Sequence, residues 1–189
     1  MKTKNTTLLL ALVASFSLSA LAQPPAPSGS RITPAQKSAF KKRLQSRLSE
    51  KQKANLAKLT TNLKTLKSGS EVTEEQKTAV TENLEALTEG ATKTDSEAVK
   101  ELAASVTEVE SGPKVTEEQK EVVTESVAAV LTSTPNSPEE AEKVLATTKS
   151  ALNATGLSKT DTDKIITDLK AVVNEIRKNR SNKKRPFRR

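Results

Sequence analysis

Residues 68–80 read SGSEVTEEQKTAV and residues 111–123 read SGPKVTEEQKEVV, so the hexapeptide VTEEQK occurs twice, each time just before an apolar run. A third stretch, SGSRITPAQKSAF at 28–40, aligns with both, and the three starts lie 40 and 43 residues apart. A period of that size is the mark of stacked supersecondary units, here helical hairpins.

The physics of the repeated stretch is that of a helix start. The first turn of a helix leaves four N–H groups without partners. A Ser or Thr hydroxyl at the N-cap accepts from the backbone three residues on, and a Gln or Glu there reaches back to the N-cap N–H. Seven pairs have this spacing: Thr33/Gln36, Ser49/Gln52, Thr73/Gln76, Thr94/Glu97, Thr116/Gln119, Ser137/Glu140 and Ser158/Asp161. Pro34 and Pro138 fall at the first helical position, where the missing N–H costs nothing, and Glu74, Glu75, Glu117 and Glu118 place negative charge at the positive end of the helix dipole.

Apolar residues then recur at steps of three and four. Leu56, Leu59, Leu63 and Leu66 form one stripe, and Val99, Leu102, Val106 and Val109 a second. Val123, Val127 and Val130 form a third, and Ile166, Leu169, Val173 and Ile176 a fourth. Alternation of period two is absent, so the abundant Val and Thr are read as helical. Stops fall at Ser68-Gly69, Gly90, Ser111-Gly112-Pro113, Pro135 and Gly156. The reading is an all-α protein of about seven short antiparallel helices arranged as helical-hairpin repeats. Two arrangements are open, an array with coiled-coil-like contacts between neighbours only or an up-and-down bundle, and the roughly 40-residue period with a thin core favours the array. With only Phe40 and Phe187 as aromatics after residue 22, the core is expected to be thin.

The N-terminal stretch MKTKNTTLLLALVASFSLSALAQ carries Lys2 and Lys4, an apolar run from about Leu8 to Leu21, and the small-x-small triplet Ala20-Leu21-Ala22. That is the pattern of a secretory signal over 1–22, followed by a Pro/Ser/Gly lead at 23–30, the helical domain at 31–179 and a disordered basic tail at 180–189. The expected location is exported, periplasmic or extracellular, with no membrane span once the signal is cleaved.

Charge is distributed in blocks. From Arg31 to Lys67 there are 11 Lys/Arg against one acid; from Ser68 to Ile176, 10 Lys against 22 acids; from Arg177 to Arg189, 8 Lys/Arg and no acid. Such asymmetry speaks to association rather than fold. Lys41, Lys42, Arg43 and Arg47, with Lys183, Lys184, Arg185, Arg188 and Arg189, are the candidate residues for an anionic partner. The same basic ends offer self-association with the acidic middle.

Chemistry is sparsely supplied. With no His and no Cys, imidazole acid–base catalysis, Ser-His and Cys-His nucleophiles and the usual zinc ligands are absent from the composition. Asp161-Thr162-Asp163 lacks the later oxygen ligands and glycine of a calcium loop. No enzyme, cofactor or metal site is expected, and the doublets Glu74-Glu75 and Glu117-Glu118 point about 100° apart on a helix.

The form apolar-[Thr/Ser]-x-x-Gln, at Ile32–Gln36, Leu48–Gln52, Val72–Gln76 and Val115–Gln119, resembles the motif of the LTXXQ family, small exported bacterial helical proteins that include periplasmic stress regulators and an ATP-independent chaperone. The resemblance implies a helical periplasmic protein that holds unfolded clients. The expectation from charge and architecture is a non-enzymatic exported binding or scaffolding protein acting at the cell envelope through its basic ends. The alternatives are an LTXXQ-type chaperone or stress protein, and, less favoured given the scarcity of stacking aromatics, a basic nucleic-acid-binding protein.

Overall fold

The computed structural model describes residues 34–88, 96–133 and 137–183. Over these residues the chain forms α1 (Pro34–Arg47), α2 (Glu50–Lys64), α3 (Glu74–Leu87), α4 (Glu97–Ser111), α5 (Glu117–Ser133), α6 (Pro138–Ala154) and α7 (Lys159–Lys183). Every described helix and the all-α class match the expectation, and no strand occurs among the described residues. The signal segment, the lead, Thr33, Thr94, Gly90, Pro135 and residues 184–189 lie outside the described residues.

Local chemistry explains the starts. Ser49, Thr73 and Ser137 each accept from the N3 backbone while Gln52, Gln76 and Glu140 reach back, completing three capping boxes. Thr116 and Gln119 exchange the same two bonds at 2.9 and 3.3 Å. At α7 only half the box forms: Asp161 N–H donates to Ser158 Oγ at 3.1 Å, and the shorter Asp carboxylate takes the Ser158 hydroxyl instead. The N-cap of α4 is Ser96 rather than Thr94, and it makes no side-chain cap bond; its hydroxyl donates 2.5 Å to Glu175 on α7. Gly156, at φ +81° just past the C-cap Thr155, adopts the left-handed conformation that ends a helix without a Cβ clash, and Gly69, at φ +77°, takes it in the turn after α2.

Cross-helix bonds give the directions. Ser96, Ser105 and Glu108 of α4 meet Glu175, Asp168 and Lys164 of α7 in reverse order. Lys149 and Glu142 of α6 likewise meet Asp163 and Lys170. Gly69 N–H donates 2.7 Å to Ser111, and Asn55 reaches Ala86, so α2, α3 and α4 alternate up and down as well.

The packing distinguishes the two arrangements left open by the sequence. Helices α2, α3, α4, α7 and α6 pack in that order around α5, and α1 lies against α5 between α6 and α2. An open array would leave α4 and α7 apart, so the molecule is a closed bundle with a central helix. Residues 122–131 of α5 are buried in ten consecutive positions, and their composition, VVTESVAAVL, explains how. Small and β-branched side chains keep the helix narrow, so neighbours approach from every side. The stripe Val123, Val127, Val130 is only one face of that burial, because Ala128, Ser126 and Thr124 are short enough to pack as well. The core is wholly aliphatic among its described members, and it is gathered around α5 rather than spread thin. On α7 the buried stripe is Ile165, Leu169, Val172, Val173 and Ile176, with Ile166 at its edge.

Helix α7 continues to Lys183, beyond the expected domain limit at 179. No Gly or Pro intervenes before Pro186, and cations suit the negative end of the dipole. Among the described residues no helix is long and apolar enough to cross a membrane.

Candidate binding cleft

The repeated VTEEQK is self-contained once folded. Thr and Gln cap each other, and the first Glu pairs with the Lys three residues on: Glu74–Lys77 at 2.6 Å and Glu117–Lys120 at 2.9 Å. Glu50–Lys53, at 2.6 Å, repeats the arrangement on α2. Val72 and Val115, just before the caps, pack against the core and fix the entry of each helix.

The second copy adds something the first lacks. Lys120 is buried, and beside it α1, α2, α5 and the end of α4 enclose a cleft of about 730 Å³. Leu56, Ala57 and Leu63 of α2 form its apolar side, Lys41 and Leu44 of α1 its rim, and Glu121 and Glu125 of α5 the opposite wall. At its base sits Glu110, 1% exposed. Glu110 accepts a hydrogen bond from Thr124 Oγ1 at 2.7 Å.

Burial governs the charge of that carboxyl. Desolvation pushes Glu110 up to about 8, against the Thr124 hydrogen bond and the charge of Lys120, which favour the carboxylate, while Glu117 adds to the rise. Glu110 is therefore mostly neutral at pH 7. At the rim the Lys41 ammonium donates to Glu121 at 3.0 Å and lies 4.0 Å from Glu125. That hydrogen bond raises the lysine above its ordinary value, against partial burial, and the charges of Glu121 and Glu125 add to the rise. On the far side of the bundle, hydrogen bonds from Lys170 and Lys149 hold Glu142 and Asp163 below the usual carboxylate range.

The basic residues singled out by the sequence divide into groups. Lys41 belongs to the cleft and is engaged with α5. Lys42 is exposed on the outer face of α1. Arg43, Arg47 and Lys183 are helical, and their side chains, like that of Gln36, lie outside the described set, as do Lys184, Arg185, Arg188 and Arg189 altogether. The helix directions bring the end of α1, the start of α2 and the end of α7 to one end of the bundle, so Lys42, Lys51, Arg177, Lys178 and Arg180 are gathered there from distant parts of the chain. Glu139, at the start of α6, feels the charge of Arg177 from the same end, though its own backbone amide does most to lower its pKa.

Sequence reading missed Glu110. Its signal was present: Val99, Ala103, Val106 and Glu110 step by four, three and four, which places a carboxylate on the buried stripe. Among the described residues no group of three or more acidic side chains is arranged to hold a metal ion. Comparison with protein-family models, curated proteins and solved structures finds no match to this chain.

Proposed function

We propose that the chain is a non-enzymatic, exported binding protein that holds an anionic component of the cell envelope through its basic ends. The observation that supports this is the gathering of cations from α1, α2 and α7 at one end of the bundle, after which the sequence continues with four more Lys/Arg and no acid. Clustered cations at a surface attract anionic polymers and headgroups by about 1 kcal/mol each, and salt screens that attraction. The test is co-sedimentation of the chain, lacking residues 1–22, with anionic and with zwitterionic vesicles. Binding confined to the anionic vesicles, released above a few tenths molar salt and lost on removal of residues 177–189, is the expected result. Retention unaffected by salt and by that truncation contradicts the proposal.

A second reading, an LTXXQ-type chaperone, is favoured by the partly apolar cleft at Leu44, Leu56 and Leu63. It requires suppression of aggregation of a denatured client, and no suppression at several-fold molar excess removes it.

A further inference from the structure

The lysines of the folded chain differ in how they are engaged. Where α7 meets α4 and α6, Lys149, Lys164 and Lys170 are paired with Asp163, Glu108 and Glu142. Lys53, Lys77 and Lys120 each pair with the glutamate three residues before them. On α2 the pattern breaks off: Lys51, Lys58 and Lys64 are exposed and form no ion pair among the described residues. No Asp or Glu occurs between Glu50 and Glu71, so these lysines have no acid in their own segment to turn to.

Helix α2 sets their geometry. At a rise of 1.5 Å per residue, Lys51, Lys58 and Lys64 follow one another about 10 Å apart along about 20 Å of helix. Between them the exposed side carries Ala54, Ala57 and Thr61, which add no charge and are too short to hold a polymer chain away from the lysines. The other side, Gln52, Leu59 and Leu63, is buried in the bundle, so the row is fixed to a packed element rather than to a loop. Lys51 stands at the end of the bundle where Arg177, Lys178 and Arg180 lie, and the row runs on from that end along the side.

Residue types decide the kind of anion. Lysine is a compact point charge without the planar fork by which arginine takes phosphate or carboxylate two bonds at a time, so a row of lysines selects charge and spacing rather than one anionic group. Helix α2 has no aromatic side chain to stack a nucleic-acid base. Ala54, Ala57 and Thr61 offer nothing large and apolar to sink into a bilayer, as a helix lying on a membrane requires. A linear polyanion needs neither.

We propose that the exposed face of α2, from Lys51 to Lys64, is a track for a linear polyanion, a polyphosphate-like or polyuronate-like chain lying along the helix. The track rests on the envelope reading above and deepens it by naming the face and the class of polymer. Its attraction comes from counterions released as lysines neutralise the chain, and it falls with salt.

The probes are long-chain inorganic polyphosphate, polygalacturonate and tripolyphosphate, titrated calorimetrically into the full chain at several salt concentrations. Lys51→Gln, Lys58→Gln and Lys64→Gln together are expected to weaken binding of both long polymers at least about tenfold and to lower the salt slope by about 2, at roughly 0.7 per neutralised charge. Lys100→Gln, Lys143→Gln and Lys159→Gln remove the same charge from exposed positions on α4, α6 and α7, and are expected to change affinity less than about threefold. Tripolyphosphate, too short to span the row, is expected to bind weakly to every variant. Equal losses in the two triple variants, which would make net charge the cause, overturn the track. So do tripolyphosphate binding as tight as the long polymer, binding of only one of the two long polymers, and no binding of either at low salt. Phosphatidylglycerol vesicles separate the track from the envelope reading. Vesicle binding that needs residues 177–189, with polymer binding indifferent to the α2 substitutions, leaves that reading and removes the track. Polymer binding that depends on α2, with no vesicle binding, upholds the track and makes a polymer rather than the bilayer the anion held.

Discussion

Glu110 is the residue at which burial and charge conflict most sharply. Its folded value of about 8 lies above the ordinary 4.5, so the native state keeps a proton that the unfolded chain gives up. Between those two values the native state binds more protons than the unfolded state, and stability falls as pH rises. Below about 4.5 both states are protonated and Glu110 contributes no slope; above about 8 both are ionised and the full loss, a few kcal/mol, has been incurred. The groups facing it are Thr124, Lys120 and Glu117, of which Lys120 softens the loss and Glu117 deepens it. Replacing Glu110 with Gln keeps the shape and an acceptor for Thr124 while removing the titration. Urea denaturation at pH 5 and pH 8.5 is expected to show the natural chain weaker at the higher pH by a few kcal/mol, and the Glu110→Gln chain nearly pH-independent over that range. A slope retained in Glu110→Gln would show that other groups carry it.

Among the elements, α5 and α1 stand at the two extremes. Helix α5 is legible as a helix from its capping pair and its Val stripe, yet its place at the centre was not, because Ser, Thr and Ala read as polar or neutral in a periodicity and become buried only when neighbours crowd in. Helix α1 is legible through the Thr33/Gln36 spacing and Pro34, but nothing in its residues reveals that Leu44 and Leu48 join a cluster apart from the main core. Helix starts were easier to read because a capping box satisfies itself within four residues and needs no tertiary partner. The exception, α4, shows the limit: Ser96 gives up its local role to bond Glu175, a partner 79 residues away. If narrowness is what allows α5 its central position, then Ala128→Leu, at a site 0% exposed, lowers stability by about 1–3 kcal/mol through overpacking, whereas Ala104→Leu on the exposed face of α4 leaves it within about 0.5 kcal/mol. Comparable losses at both sites in urea melts would contradict the narrow-helix account.

For the molecule as a whole, the charge blocks of the sequence become a spatial arrangement. The acidic middle supplies the wall that holds Lys41, and parts of the two basic runs, Lys42 and Lys51 from one side and Arg177, Lys178 and Arg180 from the other, lie at the same end of the bundle. The candidate cleft was barely legible, since it depends on how far α1 stands from α2 and α5, a distance no local pattern encodes. A closed bundle in which the six other described helices surround α5, with α1 at its periphery, is the claim on which the cleft rests. Hydrogen–deuterium exchange followed by mass spectrometry tests it directly. Peptides covering 122–131 are expected to exchange most slowly of all, near the global unfolding limit, and those covering 34–47 faster by at least about a hundredfold. Exchange of the α5 amides as fast as those of α1 would contradict the account.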